Sequence, residues 1–134
     1  MKNKFSSAWK ASSQPRKQRK YLANAPLHIK KKFISCSLSK ELRKKYSKRN
    51  ITLRVGDEVK IVKGKYKKKQ GKVTGINAKK GKIYIENIQV KKQDGSKVNV
   101  PLRAPNLRII SLKLEDKQRV KKLESKLKTG ENKK

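Results

Sequence analysis

Acidic residues, aromatic rings, cysteine and long apolar runs are all scarce in this sequence. Each shortage closes off a class of function. The one cysteine, Cys36, cannot form an internal disulfide and fits a reducing compartment. The one histidine, His28, lies eight residues before it. Two such side chains cannot make a metal site alone, and no nucleophile, base or pair of carboxylates accompanies them. No catalytic residue, metal or cofactor is therefore expected, and no enzymatic activity. No apolar run approaches the ~18–20 residues of a membrane-spanning helix. The basic start is not followed by the apolar stretch of a secretory signal. Hydrophobic residues make up 33% of the chain, against ~45–50% in ordinary soluble domains. The core must be small, and part of the chain should lack one.

What the sequence has in excess is positive charge. In 134 residues, 41 Lys and Arg face 9 Asp and Glu, a formal net charge of +32. Such a charge opposes compaction of a free domain. A polyanion relieves it, because each cation that neutralises a phosphate also releases condensed counterions. Nucleic acid is one partner this composition points to, and an acidic membrane surface is the other. The C-terminal helix, with a thin apolar face and no large aromatics, suits packing on a neighbour better than a membrane. The length suits one domain.

Residues 1–25 are polar and basic, densest from Ser13 to Lys20. They should form an extended arm, ordered only against a partner. Phe5 and Trp9 within it suit stacking on bases or a local aromatic cluster. Residues 26–50 should form short helices. Pro26 can open one, and Ser39 is a good N-cap for a second. Glu41 suits the second helix's first turn, and Leu38, Leu42 and Tyr46 make a narrow apolar stripe. Residues 51–112 read as short strands. Val59 and Ile61, then Val73 and Ile76, flank a basic loop from Lys63 to Gln70. Ile83 and Ile85 alternate, as do Ile88 and Val90, but out of phase, which suggests a β-bulge at Glu86-Asn87. Asp94-Gly95 is a hairpin turn, Pro101 ends the strand carrying Val98 and Val100, and Leu107 and Ile109 mark a last strand. This pattern indicates a mainly β fold, an all-β barrel or sandwich. Residues 113–134 should be a C-terminal helix, with Val120, Leu123 and Leu127 on one face, and a loose tail from 129.

The stretch Val55-Gly56-Asp57-Glu58-Val59-Lys60-Ile61-Val62-Lys63-Gly64, the loop Lys65–Gln70, and Gly71-Lys72-Val73 resemble the KOW motif. Gly64 allows a turn that a Cβ would hinder, and Gly71 lets the chain re-enter the sheet. Asn24-Ala25-Pro26-Leu27-His28-Ile29 and Leu38-Ser39-Lys40-Glu41-Leu42-Arg43-Lys44-Lys45-Tyr46 are similar to the universal large-subunit ribosomal protein twenty-four family. The form they suggest is the archaeal and eukaryotic one, called twenty-six in animals. The resemblance covers roughly residues 13 to 125. Two departures stand out. Lys68 occupies a position where the family often has Gly, and Arg103-Ala104-Pro105-Asn106-Leu107 replaces a His-Pro-Ser-Asn-Val segment.

The resemblance implies a small SH3-like barrel and a structural role in the large ribosomal subunit. It implies binding to the 5′ domain of large-subunit rRNA, a place near the peptide exit tunnel among neighbouring ribosomal proteins, and support for early assembly. It implies a cytoplasmic, ribosomal location. No membrane insertion and no self-association are expected. The candidate RNA-binding residues are Arg16, Lys17, Arg19 and Lys20 on the arm, and Lys30, Lys31, Lys32, Arg43 and Lys44 before the barrel. Around the loop they are Lys63, Lys65, Tyr66, Lys67, Lys68, Lys69 and Lys72. Tyr66 suits base stacking or packing on the lysine stems. Asp57 and Glu58 suit the turn and ion pairs. A transcription or chromatin factor is the competing class, since KOW barrels occur there too. Such factors are expected to carry a second, α/β domain, for which this chain has no room.

Overall fold

The structure is a computed structural model and describes residues 5, 6, 8, 9 and 11–131. Lys2, Lys4 and Lys10 of the expected arm, the Leu127 side chain and the last residues of the expected tail lie outside what is described.

Within the stretch expected to be an extended arm, residues 15–24 form a helix, while residues 11–14 have no regular structure. Helix α1 spans Pro15–Asn24. Pro15 stands at its first position, where the missing N–H costs nothing and the fixed φ suits a helix. Gln, Lys and Arg then propagate it, since straight side chains lose little freedom there. No residue of α1 is fully buried. Its anchor is Tyr21, whose ring lies 4.9 Å from Phe5, 4.7 Å from Trp9 and 6.2 Å from Phe33. Four rings scattered along the chain thus make the apolar patch that composition alone hides. Ala25 precedes a proline and turns extended, with ψ 133°, which ends the helix. Pro26 caps α2, Leu27–Phe33. Ser39 caps α3, Lys40–Tyr46, its hydroxyl accepting the Leu42 N–H at 3.3 Å. Glu41 lies in the first turn of α3 as the sequence suggests.

Among the described residues, eight strands follow this opening or interleave with it. They are β1 Ser35–Leu38, β2 Asn50–Thr52, β3 Glu58–Ile61, β4 Gln70–Asn77, β5 Lys82–Ile85, β6 Gln89–Lys91, β7 Lys97–Asn99 and β8 Leu107–Ser111. A 3-10 turn, Ala104–Asn106, leads into β8, and a last helix, α4, spans Lys117–Glu131. Helices occupy as much of the chain as strands do, so the fold is mixed α/β, not mainly β. Six strands form one open sheet in the order β2-β1-β8-β3-β4-β5, and β6-β7 form a separate hairpin. The expected closed barrel is not found among the described residues. The strands expected to complete it, those of β6 and β7, leave the sheet instead. The sheet in turn gains β1 from the stretch expected to be helical.

The sheet still bends around one core. The first half of β4 pairs with β3 and its second half with β5, with an irregularity between Val73 and Gly75. A second irregularity lies between Glu58 and Val59, where β3 meets β8. These bulges do the bending expected of Glu86-Asn87. That dipeptide is a tight turn, with Asn87 at φ +62°, and it ends β5. Cys36, Leu38, Val59, Ile61, Val73, Ile83, Ile85, Leu107 and Ile109 come from five strands and share one buried cluster. The outer edge of β5 carries one further bridge, from Ile83 to Leu102.

The hairpin is a different environment. All six strand residues are exposed, including the facing pair Val90 and Val98. Its turn forms as Asp94-Gly95 dictates, with Gly95 at φ +86° and the Asp94 carboxylate accepting the Ser96 N–H and hydroxyl at 2.9 and 2.7 Å.

Helix α4 is tied to the sheet by a buried ion pair. Asp57 is 0% and Arg119 3% exposed. Both guanidinium Nη atoms donate to the Asp57 carboxylate at 2.7 Å. The same carboxylate accepts backbone N–H groups of Arg54 at 2.9 Å and Lys113 at 3.0 Å. Arg119 donates in addition to the carbonyls of Lys113 and Thr52, at 3.0 and 3.3 Å.

Candidate nucleic-acid interface

The basic loop between β3 and β4 is closed by its own backbone. Gly64 adopts φ +99°, which favours a residue without Cβ. Its carbonyl accepts the Lys67 N–H at 3.0 Å. The Lys68 N–H donates to the Ile61 carbonyl, and the Ile61 N–H to the Lys69 carbonyl, both at 2.9 Å. Lys68 sits at φ +74°, a left-handed conformation that a residue without Cβ adopts without strain. This loop therefore keeps a glycine-like backbone while adding a cation. Lys63, Lys65, Lys67, Lys68 and Lys69 are all exposed, as is Lys72 on β4.

Tyr66 faces the other way. It is half-buried and packs against the core, and the Lys69 ammonium lies 5.6 Å from its ring centre. Packing on the core is a third placement, beside the base stacking and the lysine-stem packing expected from the sequence. Gly71 matters for approach instead of φ. A Cβ there would meet Ile85 Cγ2 at 2.8 Å and the Glu86 carbonyl oxygen at 2.9 Å. Its bare backbone is what lets β4 pass the end of β5.

On α1, Arg16, Lys17, Arg19 and Lys20 are exposed, as are Lys31 and Lys32 on α2 and Lys44 on α3. Two candidates are less free than their sequence suggests. The Lys30 ammonium donates to the Ala23 carbonyl at 3.0 Å, bracing α1 against α2. Arg43 is half-buried, with Nε enclosed. The ring contacts Trp9–Tyr21 and Tyr21–Phe33 connect α1 to α2. Helix α3 packs against α4. Three cations that sequence reasoning passed over, Lys79, Lys80 and Arg103, line a cleft with Leu22 and Phe33. Their signal was only an ordinary turn from Asn77 to Gly81 and an altered segment before β8.

Three of the acids pair with cations beside α4, and one of these pairs is buried. Asp57 is buried on Arg119, Asp116 pairs with Arg54, and Glu115 with Lys113 at 3.0 Å. Three of the 9 carboxylates thus meet at one junction, between the β2–β3 turn and the start of α4. The Asp116 carboxyl is held below its ordinary range, first by the Gln118 N–H and also by the Arg54 charge. Asp94 is held low by Ser96. Cys36 is 1% exposed, its thiol pushed up to about 12 by burial and then by the Asp57 charge. A neutral, enclosed thiol has no nucleophilic role. Among the described residues no group of three metal-ligating side chains exists, and no helix is long and apolar enough to cross a membrane. The surface can hold phosphate at many points, and no described cluster equips it for catalysis.

Comparison with known families gives a match that fits this chemistry. The family model for the ribosomal proteins called L26 in eukaryotes and L24 in archaea matches residues 12–126.

Proposed function

We propose a function from one established premise: the chain belongs to this family of large-subunit ribosomal proteins, which is not a family of enzymes. Membership makes it a structural protein of the large subunit. Its finer role, in our reading, is to bind the 5′ domain of large-subunit rRNA early in assembly. It does so on cytoplasmic ribosomes, near the exit of the peptide tunnel and among the proteins there.

The observation that carries the reading is the division of charge. Asp57, Glu115 and Asp116 are drawn into ion pairs at the α4 junction, while the loop from Lys63 to Lys72 holds no acid and keeps its ammonium groups in solvent. Phosphate contacts from that loop and from Arg16, Lys17, Arg19 and Lys20 supply affinity. The shape of the folded RNA supplies specificity. Replacing Lys67, Lys68 and Lys69 together by Ala lowers affinity, and the log–log salt slope falls by about 0.7–0.9 for each phosphate no longer neutralised. An unchanged slope removes the loop from the interface.

The deciding experiment is crosslinking of the native protein to RNA in lysate after subunits are separated on a gradient. Crosslinks concentrated in the 5′ domain of large-subunit rRNA support the reading. Crosslinks scattered over messenger RNA, with no protein in the large-subunit fractions, sink it. Equal affinity for duplex DNA and structured rRNA would favour a transcription or chromatin role.

A further inference from the structure

Away from the lysine loop, a cleft of about 290 Å3 opens where α1 and α2 meet the β4–β5 turn and the 3-10 turn. Its floor includes Leu22, Phe33 and Pro105. Leu22 is 48% and Phe33 43% exposed, in a chain with few large apolar side chains to leave in water. Its rim carries Lys79, Lys80 and Arg103, all exposed. Among the described residues no carboxylate borders it.

Both loop walls are fixed before any ligand arrives. The Asn77 side-chain oxygen accepts the Lys80 N–H at 3.0 Å, which sets the β4–β5 turn. On the other wall Ala104 is buried, and its carbonyl accepts the Cys36 thiol at 3.3 Å. The Asn106 N–H donates to the Arg103 carbonyl at 3.1 Å, and the Asn106 carbonyl accepts the Val62 N–H at 2.8 Å. Behind the floor, the Phe33 ring meets Tyr21 edge-on at 62°.

A cationic rim over an aromatic floor fits one kind of ligand well. The rim suits phosphate, and the floor suits the face of a base that is out of its helix. An intact duplex would present phosphate and sugar here and leave the floor unused. We propose that this cleft is a second RNA subsite, which takes an unpaired nucleotide with its base on Phe33 and its phosphates on Lys79, Lys80 and Arg103. The proposal rests on the rRNA-binding reading and specifies which RNA conformation this face selects.

The test compares two fluorescent strands of equal length and charge, hexaadenylate and a hexamer of abasic spacers. The proteins are the wild type, Phe33→Leu, Leu22→Gln, Lys79→Gln with Lys80→Gln, and the triple Lys67, Lys68, Lys69→Ala variant. The rRNA 5′-domain transcript is titrated in parallel, and thermal midpoints establish that each variant is folded. The wild type is expected to prefer the base-bearing strand by roughly tenfold, the effect of one stacked base. Phe33→Leu keeps bulk, loses the ring and abolishes that preference, and Leu22→Gln reduces it. The Lys79/Lys80 variant weakens both strands alike and flattens the salt dependence by about 0.7 for each phosphate it no longer neutralises. The loop triple variant keeps the preference. A preference that survives Phe33→Leu, or none in the wild type, overturns the cleft while leaving transcript binding intact. Failure to bind the transcript at all would instead remove the function itself.

Discussion

Substituting Arg119 by Met tests whether α4 is clamped to the sheet by its ion pair or only rests there. The Asp57 carboxylate loses both donors at 2.7 Å and retains two backbone N–H groups, from Arg54 and Lys113. It stays 0% exposed in the native geometry, so water cannot replace the guanidinium unless the junction opens. Removing one partner of such a pair costs about 3–5 kcal/mol. The carbonyls of Thr52 and Lys113 also lose a donor. Whole domains hold only about 5–15 kcal/mol, so this is a large share for a core this small. Asp57→Asn should cost a similar amount, because it strands a buried guanidinium. The double variant should cost less than the sum, with a coupling of about 0.5–3 kcal/mol. Urea unfolding at fixed ionic strength, followed by circular dichroism, measures all three. Additive losses, or a cost under about 1 kcal/mol for Arg119→Met, would refute the clamp.

Other positions make separate predictions. Gly71→Ala should destabilise by about 1–3 kcal/mol, because the Glu86 backbone it would strike cannot rotate away; a wild-type urea midpoint would count against that close approach. Lys68→Gly should leave stability unchanged or raise it by up to about 1 kcal/mol, since the φ of +74° is then unstrained. The same change should weaken rRNA binding and lower its salt slope, so stability and affinity move apart. Cys36 should resist maleimide in the native protein and react as the chain unfolds. Its thiol pKa is raised on folding from 9.0 to about 12. Its contribution to stability is therefore complete below pH 9 and is lost as pH rises toward 12. Urea midpoints of wild type and Cys36→Ala should converge over that interval.

Much of the sheet was legible because its signals are local. Val59 and Ile61, Ile83 and Ile85, and Leu107 and Ile109 alternate within single strands, and Asp94-Gly95 and Ser39 act within four residues. What escaped notice is non-local. Helix α1 looks unsupportable from 13–20 alone; its support comes from rings at positions 5, 9, 21 and 33. Strand β1, Ser-Cys-Ser-Leu, has only two apolar positions and depends on β2 and β8 for its identity. The charge surplus identified the partner class, but charge has no periodicity. It could not reveal that Arg119 turns inward to a residue 62 positions earlier, or that Lys79 and Arg103 share a cleft.

The β6–β7 hairpin has a consequence for the protein before it reaches its RNA. Two short strands with unsatisfied outer edges and a Val90–Val98 face offer a template on which another chain could add a strand. The same hairpin carries Lys91 directly opposite Lys97, with Lys92 at the turn. Any copy approaching that edge brings matching ammonium groups, and at low ionic strength the two repel. Salt screens this protection while leaving the valines uncovered. The colloidal stability of the unassembled protein should therefore fall as salt rises. Its solubility is a kinetic guard that becomes unnecessary once phosphate surrounds it.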